Sequence, residues 1–185
     1  VDKSYHHGGL RAALVAAALE QLESGGAAAL SLRAVARACG VSAMAPYRHF
    51  AGKEELLEAV AASGFEALAV SLEAADASAE GAEALAAQGA AYVTFACRHP
   101  ALFRLMFMGP GCASDKSRAY AILERRAAAL AGSGMAAADL TLAAWSLVHG
   151  LAALILDRRV PLEGEAAEDA ARRITLAFAR LAAGG

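Results

Sequence analysis

Nothing in the chain alternates β-branched with polar residues as a half-buried strand does, and aromatic residues make up only 6%. Those two shortages exclude a sandwich or barrel and leave an all-α reading. Prolines number four, so little interrupts long helices. The three cysteines, Cys39, Cys97 and Cys112, are odd in number, widely spaced and without a CxxC pair. That pattern disfavours a disulfide framework and a zinc site, and fits a reducing cytosol. No apolar signal region opens the chain, and its start at Val1 admits a missing or processed N-terminal portion.

Catalytic signatures are missing too. The five histidines, His6, His7, His49, His99 and His149, are scattered. There is no HExxH, no phosphate-binding glycine loop, no nucleophile elbow and no carboxylate pair. An enzyme is therefore not expected, and neither a metal nor a cofactor is implied. His6-His7 invites a metal or tag reading, with plain solvent exposure as the alternative. Only Leu140–Leu156 runs without charge for nearly the length of a membrane span. With Ser146, His149 and Gly150 inside it, that segment reads as a buried helix of a soluble bundle.

What is present is alanine and leucine at helical spacing, within 58% apolar residues over 185. Leu10, Leu14, Ala18 and Leu22 make one stripe, closed by Ser24-Gly25-Gly26. Ser31 caps a second helix with Leu32, Val35, Ala36 and Cys39 inward, and Gly40 ends it. After Gly52, Lys53-Glu54-Glu55 starts a long helix carrying Leu56, Leu57, Val60, Leu68 and Leu72. Another reaches Arg98, and Pro100 opens a short one. Further helices are expected over Asp115–Ala131, Ala137–Asp157 and Glu163–Ala182, about nine in total. The loops between them are Gly109-Pro110-Gly111, Gly132-Ser133-Gly134 and the Pro161 region.

One more absence points to function. Residues 27–53 contain Arg33, Arg37, Arg48 and Lys53 and no acid, a local +4 in a chain of net −2. A basic surface on a mildly acidic body suits phosphate contact. Ser31 to Phe50 has the length of a helix-turn-helix, with Gly40 in the tight turn and small Ala36 permitting close packing. Val41 and Tyr47 are candidate anchors of the second helix. Pro46 sits inside it, where it removes a hydrogen bond. An irregular start over Ser42–Ala45 with a short regular part after it is the expected compromise. That compromise serves either a backbone held rigidly against DNA or a merely tolerated proline.

The segment "SLRAVARACGVSAMAPYRHFAGKEELLEAV" resembles the DNA-binding domain of the TetR family of bacterial transcriptional regulators. The resemblance rests on Gly40-Val41-Ser42, Tyr47-Arg48-His49-Phe50 and Lys53. "YHHGGLRAALVAAALEQLESGG" and "AYVTFACRHPALFRLMF" are similar to one branch of it, and "AWSLVHGLAALILDRRV" resembles a WHG-type regulatory domain, named for Trp145, His149 and Gly150. Gly9 departs from the acidic residue common there, which implies a weaker first cap.

The resemblance implies a three-helix DNA-binding domain over residues 1–53 and a helical regulatory and dimerisation domain over 54–185. It also implies a cytoplasmic bacterial protein, active as a homodimer on a palindromic double-stranded operator and released by a small apolar effector, as a repressor is. Ser31, Ser42, Tyr47 and His49 can donate to phosphates, and Arg33, Arg48 and Lys53 add charge. Tyr47 is equally a core anchor. Arg48 is a guanine candidate, and Ala43 or Met44 a thymine-methyl candidate, while Ala43 and Ala45 leave room for backbone approach. With no Asn or Gln there to pair adenine, DNA shape is expected to carry much of the specificity.

Phe95, Phe103, Met106, Phe107, Tyr120, Trp145 and His149 are the effector-pocket candidates, with a core role as the alternative for each. Leu147, Leu151, Leu154, Ile174 and Leu181 are the dimer candidates, packed beside small alanines. The rival class is a helical module for lipophilic molecules that never touches DNA. It leaves the acid-free window unexplained.

Overall fold

The computed structural model describes residues 7–108, 118–131 and 135–182. Within them lie eight α-helices: α1 (His7–Ala29), α2 (Leu32–Ala38), α3 (Lys53–Ala77), α4 (Gly81–Arg98), α5 (Pro100–Met108), α6 (Arg118–Leu130), α7 (Ala137–Leu156) and α8 (Gly164–Ala182). The ninth expected helix is a single 3-10 turn, Pro46–Arg48. No strand occurs among the described residues. The glycine stop expected after Leu22 is real. Gly26 leaves the helical region at φ 72° and ψ 171° and breaks α1 there. His6, Cys112 and the loops at 109–111 and 132–134 lie outside the described residues.

The chain forms two compact units, Val1–Gly64 with Pro100–Ala113, and Phe65–His99 with Ser114–Gly185. This division differs from a cut at residue 53. The first turns of α3 belong with the N-terminal helices because Leu56 and Val60 are fully buried there. α5 joins them from far along the chain. Its Leu102, Leu105 and Met106 are buried, and it packs on α1. The Glu23 carboxylate of α1 accepts from the Ala101 and Leu102 backbone N–H groups, each at 3.3 Å. An acid at a helix N-terminus satisfies orphan donors and complements the dipole. Leu14, Ala18 and Leu22 of α1 and Val35 of α2 complete this core, on the stripe read from the sequence.

In the second unit α4 lies among α6, α7 and α8, and its contact with α8 is the most extensive. Leu85 of α4, Ala144 of α7 and Ala179 of α8 meet there, with Leu123 of α6 against them. α7 is long and apolar enough to span a membrane by length and composition. Its Leu140, Ala144, Val148, Ala152 and Ile155 are nonetheless buried at helical spacing. Through this face it packs on α4, α6 and α8, while Leu142 and Leu154 on the outer face are exposed.

Gly89 is a point of close approach between α4 and α8. A Cβ placed there lies 2.4 Å from Thr175 Oγ1 and 3.0 Å from Thr175 Cβ. Glycine in a helix interior costs about 1 kcal/mol relative to alanine. Gly89→Ala is nevertheless expected to destabilise the protein, by about 1–3 kcal/mol, because the helices must part. Thr175 is fully buried and its hydroxyl has no hydrogen-bond acceptor among the described residues. Adding Thr175→Ala should therefore recover part of the loss. Urea titration of the two variants checks both outcomes, and an unchanged midpoint for Gly89→Ala would contradict the close approach.

Candidate nucleic-acid interface

The site is built on α2 and the turn that follows it. Ser31 is the N-cap of α2, in extended conformation, and its Oγ accepts from Ala34 N at 3.2 Å. Leu32, Val35 and Ala36 bury one face, which leaves Arg33 and Arg37 exposed. Val41 N bonds to Ala36 O at 3.0 Å and Gly40 N to Arg37 O at 3.1 Å. This pair of bonds is a Schellman closure, and it needs a left-handed residue at position 40. Gly40 supplies it with φ 67°. The Cys39 thiol donates to Ala13 O at 3.5 Å and so ties the end of α2 to α1.

After this turn the backbone tightens rather than resuming an α-helix. Ala45 N bonds to Ser42 O, Tyr47 N to Met44 O, Arg48 N to Ala45 O and His49 N to Pro46 O, at 2.9–3.3 Å. All four span three residues, the 3-10 pattern. The missing member is the bond position 46 would make, because proline has no N–H to give. An α-helix over Ser42–Arg48 would have asked for that donor in its first turn. The chain starts the turn at Pro46 instead, with Ala45 at the cap position and no side-chain cap. The irregular start is as expected, but the regular part is one 3-10 turn, shorter than a recognition helix.

The anchors also differ from those expected. Tyr47 is exposed at 47% and Val41 is only half-buried, whereas Pro46 and Phe50 are buried. Proline here is an apolar plug as well as a backbone constraint. The Arg11 guanidinium sits 5.1 Å above the Phe50 ring, a cation–π contact that pins the turn to α1. The sequence marked Pro46 as a backbone constraint, either held against DNA or merely tolerated, but carried no sign of its burial and none of the part Arg11 plays. At the start of α3 the Glu55 carboxylate reaches back to Ala51 N at 2.5 Å and fixes the entry of the helix.

Of the ten expected DNA-binding residues, Ser31, Arg33, Ser42, Ala43, Met44, Tyr47 and Arg48 are exposed, while Ala45, His49 and Lys53 are half-buried. Lys53 is the first residue of α3. A lysine at a helix N-terminus is suited to a phosphate, because first-turn N–H groups lack partners within the helix and the dipole favours an anion. Arg37 adds a further exposed cation.

The effector-pocket candidates divide between the units. Phe103, Met106 and Phe107 belong to the first, where Phe103 and Met106 are core and the Phe103 and Phe107 rings lie 4.8 Å apart. Phe95, Tyr120, Trp145 and His149 belong to the second. There Trp145 Nε1–H donates to the Tyr92 hydroxyl oxygen at 3.3 Å, and Tyr92 Oη lies 2.8 Å from His149 Nδ1. The indole can only donate, so the Tyr92 oxygen accepts from Trp145, while the tautomer of His149 sets which way the proton of the Tyr92–His149 bond points. Burial lowers the His149 pKa and raises that of the Tyr92 phenol, so both are neutral at pH 7. Tyr120 packs edge-on against Trp145 at 5.7 Å. Tyr92, the hub, is one of several apolar residues on α4 and carried no distinguishing signal in the sequence.

One turn before Tyr92 on α4, Gln88 Nε2 donates to Asp76 Oδ1 of α3 at 2.6 Å. Arg126 Nε of α6 donates to the same oxygen at 2.7 Å. Asp76 thus joins three helices. On the outer faces of α7 and α8, Leu154 and Leu181 are exposed at 46% and 80%, and Leu147, Leu151 and Ile174 are half-buried.

Residues 14–60 match the family described as bacterial regulatory proteins, tetR family. Residues 85–178 match the tetracyclin repressor-like C-terminal domain. Among solved structures, a protein with unknown function from Rhodococcus sp. RHA1 is 35% identical, over 98% of this chain and 100% of that one, with a TM-score of 0.79. Mycobacterium smegmatis BioQ is 28% identical over 93% of this chain and 97% of its own, at 0.63. The TetR family regulator PfmR from Thermus thermophilus, at 24% identity over 90% and 97% and a TM-score of 0.62, shares the fold. No curated protein sequence matches the chain.

Proposed function

The chain belongs to the TetR family and is a DNA-binding transcriptional regulator rather than an enzyme; from that premise we propose that it is a cytoplasmic repressor, dimeric on a palindromic operator and released by a small apolar effector. The observation that carries this reading is the acid-free, exposed surface from Ser31 to Lys53, held rigid by Gly40, Pro46 and Phe50. One such surface touches few phosphates, and two on a dimer read half-sites about 34–36 Å apart. The second copy is supported by the outer leucines of α7 and α8, which a lone chain leaves in water.

The effector reading is supported by the Tyr92–Trp145–His149 cluster with Tyr120 beside it, which offers an apolar wall with a few polar groups. Gln88 and Tyr92 stand one turn apart on α4, so an effector that shifts this turn also moves Asp76 on α3. The same α3 begins at Lys53, among the DNA-binding residues. A change in the separation of the two half-site readers then lowers affinity, a coupling through one two-state element.

Light scattering should give a dimer, and a gel shift on a palindrome from the gene's own upstream region should weaken steeply as salt rises. A strict monomer, or equal binding to every duplex, would count against the reading.

A further inference from the structure

We infer that Met44 is a specificity residue that reads the C5 methyl of a thymine, with Tyr47 supporting it from the same edge of the turn. This rests on the operator-binding reading above. In a 3-10 turn, side chains three apart eclipse one another. The bonds from Tyr47 N to Met44 O, Arg48 N to Ala45 O and His49 N to Pro46 O therefore sort the segment into three edges. Pro46 is buried and His49 half-buried, so their edge faces the protein. Ala45 and Arg48 make a second edge, with the guanidinium outward. Met44 and Tyr47 make the third, and they are 68% and 47% exposed.

An unbranched thioether held in water at the tip of a basic surface has little folding value. Its apolar area is available to a partner, and the acid-free stretch that carries it, with Arg33, Arg48 and Lys53, selects a polyanion. Among groups in the major groove, the thymine methyl is the apolar one. Ser42 and Ala43 beside Met44 are small and exposed, so the tip can approach a base edge. The segment Gly40–Lys53 holds no Asn, Gln, Asp or Glu, which removes the usual partners of adenine and cytosine. The structure thus favours apolar contact as a direct readout for this turn, beside whatever Arg48 contributes at guanine.

The probe is a duplex enriched by the wild-type protein from a random-sequence pool. It is resynthesised with deoxyuridine replacing thymidine one position at a time, which removes the methyl and keeps the pairing edge. Wild-type protein should show one symmetry-related pair of thymines where uracil weakens binding about fourfold singly and about fifteenfold together, the worth of one buried methyl in each half-site. Met44→Ala should bind the thymine and uracil forms equally at that pair, while Met44→Leu should keep the discrimination. A flat uracil scan with wild-type protein, or an unchanged pattern in Met44→Ala, overturns the assignment and leaves operator binding standing. Failure to enrich any duplex overturns both.

Discussion

Replacing Arg33 and Arg48 together by alanine is expected to reduce operator affinity about a thousandfold at physiological salt while leaving the fold intact. A dimer carries each change twice, so four cations leave the interface. Each phosphate contact contributes about 0.9 to the slope of log affinity against log salt, and the slope should fall by about 3–4. At about 0.15 M salt that is roughly 1 kcal/mol for each contact. Both side chains are exposed and pack no core, so the melting transition should move by less than about 0.5 kcal/mol equivalent. Arg33→Lys with Arg48→Lys keeps the charge and should keep most of the slope, losing only what the planar fork adds. Fluorescence anisotropy over a salt series reads all three proteins. A double alanine variant with the wild-type slope would place the phosphate contacts elsewhere.

Asp76→Ala should be the most damaging single change in the second unit. The Asp76 side chain is 12% exposed and that of Arg126 19%, so the pair is largely withdrawn from water. Removing one partner of such a pair strands the other, at a cost of about 3–5 kcal/mol. Gln88, buried on α4, loses its acceptor in the same step, and its Oε1 already has no partner among the described residues. Arg125 reaches Asp76 at 3.7 Å but is 59% exposed, so it contributes little. The Arg126 hydrogen bond holds the Asp76 carboxyl below its usual value, with burial acting against it and Gln88 assisting. A depressed carboxyl stabilises the fold fully above its unfolded pKa of about 3.9. That stability is lost as pH falls through the lower, folded value. Wild-type protein should therefore lose stability from about pH 4 downward. Asp76→Asn should start lower at neutral pH and lack this part of the acid slope. Chemical unfolding at a series of pH values measures it, and parallel profiles for the two proteins would remove Asp76 from the account.

The Tyr92 cluster and the Asp76 junction share α4, which neither composition nor periodicity marked as central. Nothing along the line of the sequence assigned a packing partner to its alanines or to Gly89. They are there because α6, α7 and α8 all press against it, and at Gly89 even a methyl does not fit. Small residues on one helix have meaning only when the facing residue is known.

The sequence alone determined the helices, their stops and the basic window. Leucine spacing, Ser31 and Gly40 act through bonds between residues at most five apart, and such bonds can be read along a line. It also carried the resemblance on Gly40-Val41-Ser42 and Tyr47-Arg48-His49-Phe50, hence the family. Tertiary structure decided everything that joins distant residues: the seat of α5 against α1 under Glu23, the three-helix grip on Asp76, and the choice of Tyr92 as hub. It also decided the fate of Pro46. A missing N–H shortens a turn wherever it occurs, but burial of the ring beside a pinned Phe50 is what turned that loss into a rigid edge bearing Met44. Local propensity sets which conformations are inexpensive, and long-range packing selects among them.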